Sequence, residues 1–177
     1  RTAYAEVCAL AGREPALPEG PELAEEFAPG YRKGPVTHAI GALRLTLPGV
    51  YRYSWEEWEQ GGGAHLWSGL TPGDPVWRVS AYRTREGDAR FTGHLDALNG
   101  VEDRELKGGA LRWGWREIYE NGERLYQVEC EVVAGPALFF LTATCAGPGD
   151  LGQAAELIGR VSVVSAEARK ETVQANS

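Results

Sequence analysis

The sequence predicts an α+β domain in which an antiparallel β-sheet is flanked by helices. Three observations carry that expectation. Apolar and polar residues alternate along several runs, the mark of half-buried strands. Asn121-Gly122 lies between two such runs and is the strongest short hairpin signal. Elsewhere apolar residues recur at helical spacing between capping residues and glycines.

In chain order, Thr2 caps an expected first helix in which Tyr4, Val7, Cys8 and Ala11 share a face and Gly12 ends it. Residues 13–35 hold five of the ten prolines and read as an extended connector, with one helical turn at 22–27. Residues 39–47 form a strand with Leu43, Leu45 and Leu47 on one face, stopped by Pro48-Gly49. Ser54 followed by Glu57 is a capping box, so residues 55–60 read as a short helix halted by Gly61-Gly62-Gly63. Strands at 64–68 and 76–83 are joined by a Gly- and Pro-rich turn. Residues 88–99 read as a second helix, capped by Asp88, with Phe91, Leu95 and Leu98 in one stripe and Gly100 beyond. Gly93 inside it opposes that reading by about 1 kcal/mol relative to Ala.

A two-residue loop at Asn121-Gly122 sets a register. It places Trp113 opposite Cys130, Trp115 opposite Val128 and Leu111 opposite Val132. The other face pairs Arg112 with Glu131 and Arg116 with Gln127, and Glu129 lies diagonal to both arginines. One face is apolar and the other is a charge ladder, as a half-buried antiparallel pair requires. The next strand, 137–145, has Phe139, Leu141, Ala143 and Cys145 on one face. Cys130 then falls near Leu141, so a Cys130–Cys145 disulfide is not expected. A last helix begins after Pro148-Gly149 with Asp150 as cap, and carries Leu151, Ala154, Ala155 and Ile158 to Gly159. Val161-Ser162-Val163-Val164 closes the domain. The expected organisation is an N-terminal helix and connector (1–35), a single α+β domain (36–164) and a polar tail (165–177).

This order resembles the PsbP-like superfamily, through Leu45-Thr46-Leu47-Pro48-Gly49, the Asn121-Gly122 hairpin and the final helix running into Ser162-Val163. The resemblance covers roughly residues 36–164. It implies an α/β/α sandwich with an antiparallel sheet, and an accessory or partner-binding role rather than an enzymatic one.

Composition narrows the function classes. A net charge of −7, with arginine outnumbering lysine fifteen to three and no basic run, argues against a nucleic-acid binder, whose affinity comes largely from cations on phosphates. No apolar run approaches a membrane span. Three cysteines in apolar surroundings read as reduced, buried thiols, which points to the cytoplasm. The chain contains no Met and opens at Arg1, which leaves a cleaved leader open.

No motif proposes a catalytic site. His38, His65 and His94 are far apart and read as surface or singly hydrogen-bonded residues. No two cysteines have metal-ligand spacing, so neither a metal nor a cofactor is expected. The triple glycine lacks the ending of a phosphate loop, and Ser54, Ser68 and Ser80 lack a nucleophile's context. Glu56, Glu57 and Glu59 read as a solvated face rather than an acid/base pair.

What remains is the aromatic stretch. Tyr51, Tyr53, Trp55, Glu56, Trp58, Glu59 and Trp67 form the candidate partner-binding set, because a tryptophan left exposed beside carboxylates suits a protein contact. The leading expectation is a non-enzymatic binding or accessory domain with a protein partner, a homodimer being one form of that pairing. One alternative is an enzyme or ligand carrier with a pocket between sheet and helices. Another is an immunity- or antitoxin-type protein whose acidic surface neutralises a basic partner.

Overall fold

A computed structural model describes residues 35–48, 51–70 and 73–164. The helix expected near residue 4, the connector and the polar tail lie outside the described residues. Among the described residues ten strands form two antiparallel sheets. The smaller has the order β1 (Pro35–Ile40), β2 (Leu43–Pro48), β10 (Ser162–Val163). The larger has the order β3 (Tyr51–Glu57), β4 (Gly63–Gly69), β5 (Val76–Arg83), β9 (Ala137–Cys145), β8 (Glu123–Ala134), β7 (Gly109–Glu120), β6 (Asn99–Leu106).

The β7–β8 hairpin has the register that Asn121-Gly122 dictates. Trp113 faces Cys130, Trp115 faces Val128, Leu111 faces Val132 and Arg112 faces Glu131. Both loop residues take the positive φ of a primed turn, 51° at Asn121 and 81° at Gly122, which matches the twist of the strands. Cys130 pairs with Leu141 on β9, and Cys130 and Cys145 are free, buried thiols.

Alternation along each strand gives the large sheet two distinct faces. The inner face carries Trp77, Val79, Leu111, Val128, Cys130, Val132, Phe139 and Leu141 into one buried cluster. Leu43, Leu45 and Leu47 of β2 cover it, together with Ala154, Leu157 and Ile158 of the helix α1 (Gly149–Gly159). Arg104 on β6 reaches the end of that helix, donating from Nη1 to the Gly159 carbonyl at 2.5 Å. A cation there satisfies free carbonyls and complements the helix dipole.

The expected α/β/α sandwich is corrected on this point. Among the described residues α1 is the one α-helix, and the layer opposite the large sheet is mostly a second sheet. Three local expectations fail with it. Residues 39–47 are not one strand, because Gly41, at φ 56°, turns the chain between β1 and β2. Residues 55–60 are not a helix, because β3 runs through Glu57 and pairs with β4 as far as Gly63. The alternation of Tyr51, Tyr53 and Trp55 outweighs the Ser54–Glu57 capping signal.

Residues 88–99 are not a helix either. They keep a single 3-10 turn, His94–Ala97, preceded by Gly93 at φ 82°. Only glycine adopts that conformation without strain, and it lies outside the helical region. The apolar stripe does point inward, since Leu95 is fully buried and Phe91 half-buried, but it packs on the outer face of β7 and β8 from a loop. Asp150 sits in the first turn of α1 rather than at its cap, which falls on Pro148.

Candidate functional site

Two places on the large sheet bring chemistry together. The first is an aromatic shelf at the β3–β4 end. Tyr53, Trp55, His65 and Trp67 share the inner face, with Trp67 buried in the core cluster and Tyr53 and Trp55 exposed. The Trp55 ring meets His65 edge-on with centroids 5.0 Å apart, and His65 stacks on Trp67 at 5.8 Å. The Tyr53 hydroxyl lies 3.1 Å from His65 Nδ1. Trp67 is buried and donates from Nε1 to Nδ1 of His38 on β1, at 3.2 Å. An indole N–H only donates, so His38 Nδ1 must be unprotonated there. Burial lowers the pKa of both His38 and His65 and keeps each ring toward its neutral form.

The shelf gathers part of the expected set and disperses the rest. Tyr53 and Trp55 are about half exposed, at 53% and 51%. Tyr51 belongs to the core, where burial raises its hydroxyl pKa to about 12. Trp58 is half-buried in the turn after β3, where its amide donates to the Gly62 carbonyl at 3.1 Å. Glu59 is exposed in the same turn. Glu56 projects to the opposite face and accepts from Arg78 Nη2 at 2.7 Å. The triple glycine is explained at Gly63, where any Cβ would meet the Trp55 ring and the Glu56 carbonyl. A bare backbone lets the Trp55 ring lie across β4.

The second place is on the outer face, and the sequence pattern did not suggest it. Glu129 and Glu131 alternate on β8 and are 1% and 2% exposed. Glu129 lies 2.8 Å from His94 Nε2 and 2.6 Å from Arg116 Nε. A carboxylate only accepts, so this contact puts a proton on His94 Nε2. Glu131 accepts from the Thr92 backbone N–H at 2.9 Å and from the Thr92 hydroxyl. Thr142, beside Glu129 on β9, has a buried hydroxyl without a partner.

Arg112, across the ladder from Glu131, is held by Asp103 through Nε and Nη2 at 2.6 and 2.8 Å and by Asp96 through Nη1 at 2.8 Å. The guanidinium holds the Asp103 carboxyl below its usual range. A cavity of about 330 Å³ opens beside Glu131, walled by Tyr82, Leu138, Phe140, Thr92 and His94. Sequence reading registered Glu129 and Glu131 as rungs of a charge ladder. Their desolvation depends on the 84–98 loop folding over them, which no local pattern announces.

Among the described residues no three His, Cys, Asp or Glu side chains are placed to hold a metal ion, and no helix is long and apolar enough to cross a membrane. No family model and no curated protein matches the chain. Among the solved structures that resemble it in shape are two of stated source. One, from Bacteroides thetaiotaomicron VPI-5482, matches 71% of this chain with a TM-score of 0.51 and 16% identity. This chain spans 46% of that protein's length, and the likeness is one of fold alone. The other is Mycobacterium tuberculosis LpqN, described as involved in cell envelope biogenesis. It matches 74% of this chain and 90% of its own with a TM-score of 0.41 and 16% identity, too loose a likeness to inform this one.

Proposed function

We propose that this domain is a non-enzymatic binding module that takes an extended segment of a protein partner along β3, over the Tyr53–Trp55 shelf. The observation that supports this is the half exposure of two large aromatics on a strand that is the sheet edge among the described residues. An edge strand offers backbone donors and acceptors to an added strand. The rings beside it offer area at small conformational cost, which is why Tyr and Trp recur at interface hot spots. Trp67 and His38 fix the shelf from below, so the rings are ordered before any partner arrives.

The test is affinity capture from extracts of the source organism, with amide exchange on the captured complex. Trp55→Ala and Tyr53→Ala should each lose the partner, and β3 amides should become protected in the wild-type complex. Tyr119→Ala, at an exposed tyrosine on the far hairpin, serves as control. A partner retained by both shelf variants would defeat the proposal.

A further inference from the structure

The outer-face cavity has a charge imbalance that the shelf reading does not use. Burying a carboxylate is costly unless a cation or several donors compensate it. Glu129 has its cation in Arg116 and a hydrogen-bond donor in His94. Glu131, equally buried and one pleat away, has only the two neutral donors of Thr92. Among the described residues no basic side chain lies within ion-pair distance of it; Arg112 opposite attracts it through space, but its hydrogen bonds go to Asp103 and Asp96. A buried carboxylate whose nearest cation is shared with two aspartates therefore forms part of one wall of an open cavity whose other walls are largely apolar and aromatic.

We propose that this cavity binds a small organic cation, a primary ammonium on a flat apolar body, with Glu131 as its counter-ion. Each carboxylate oxygen has two acceptor positions, and Thr92 uses one on each, so two remain for an ammonium that carries three donors. Such charge-assisted bonds are roughly twice as strong as neutral ones. Tyr82, Phe140 and Leu138 line the cavity, and aromatic rings there can attract a cation while its apolar body packs on Leu138. His94 stands edge-on to Phe140 at 5.6 Å, fixed by Glu129, and completes the wall. A cavity of about 330 Å³ suits a single-ring amine. Two buried carboxylates exclude an anion of the same shape, and a neutral alcohol gains no charge-assisted bond.

Calorimetric titration at neutral pH with three probes of one shape tests this: 2-phenylethylamine, 2-phenylethanol and phenylacetate. The amine should bind about tenfold or more tightly than the alcohol, a gap of about 1.4 kcal/mol, and phenylacetate should not bind. Glu131→Gln should remove that preference. Tyr82→Ala, on an exposed wall where folding is not at stake, should weaken the amine several-fold, and Trp55→Ala should leave it unchanged. If Glu131→Gln does not fold, the Tyr82→Ala result decides. No binding of the amine at millimolar concentration, equal binding of amine and alcohol, or an amine affinity untouched by Tyr82→Ala would overturn the proposal.

Discussion

The aromatic shelf and the carboxylate cavity sit on one sheet and treat water in opposite ways. At the shelf, the rings of Tyr53 and Trp55 are left half in solvent over the partly buried imidazoles of His38 and His65. At the cavity, charged atoms are withdrawn from solvent and held by specific donors. The difference follows from cover. On the inner face Trp67 is buried in the core cluster, while Tyr53 and Trp55, one strand further out on β3, are half exposed. The outer face would ordinarily be solvated, but the 84–98 loop crosses it and desolvates Glu129 and Glu131. Exposed rings contribute to binding with little effect on folding, whereas buried charges bind and fold through the same contacts.

The largest effect belongs to the frame both places share. Trp77 is fully buried on β5, with Trp67 of the shelf on one side and Ala143 on the other. Trp77→Ala should destabilise the fold by about 3–5 kcal/mol, read from urea denaturation. Ligand and partner readouts should fail together in that variant. A small stability change would mean that the shelf and the core are not mechanically one body.

The next effect tests desolvation directly. Thr92→Val removes the hydroxyl donated to Glu131 while keeping shape and the backbone N–H. Leaving a buried carboxylate short of a donor should cost about 1–3 kcal/mol. A cost near zero would mean that water reaches Glu131, and the contrast between the two places would collapse.

That loop also marks where the sequence stopped being informative. The β7–β8 register was legible because Asn121-Gly122 and strict alternation are local signals that agree. The inward residues Phe91 and Leu95 were legible as apolar, but not as loop residues. Their spacing fits a helix equally well, and the contacts that override it join Thr92 and His94 to β8, more than thirty residues away. At the shelf, Ser54 and Glu57 gave a capping signal that pairing with β4 outweighs. The exposure of Trp55 depends on what packs over the inner face at β3, and no pattern within residues 51–67 contains that fact.

A smaller effect distinguishes the two places by pH. Burial holds His38 below its ordinary pKa of 6.5, and its Nδ1 must stay unprotonated to accept from Trp67. The unfolded chain therefore takes up this proton first as pH falls. Stability from His38 is fully present above the ordinary histidine range and is lost as pH drops through the folded-state value. His65, lowered for the same reason, adds with the same sign. Denaturation midpoints measured from mildly alkaline to mildly acidic pH should fall, and His38→Asn, which keeps an acceptor but does not titrate, should flatten part of that slope. An unchanged slope would place His38 in solvent and leave the shelf without its support.

The smallest effect is the most discriminating, because it repeats the Thr92 experiment on the other side of the sheet. Tyr53→Phe also deletes one hydroxyl, here the one 3.1 Å from His65 Nδ1. Water replaces that bond at a half-exposed residue, so the cost should be about 0.5 kcal/mol or less by urea denaturation. The atom removed is the same in both variants, and the residue identity differs only in the body that carries it. The difference in cost reports the charge and the burial of the acceptor together: a carboxylate 2% exposed at one place, a partly solvated imidazole at the other. Equal costs would show that burial, rather than hydrogen-bond count, was misassigned at one of the two. A larger cost at Tyr53 than at Thr92 would invert the contrast and move the desolvated chemistry from the cavity to the shelf.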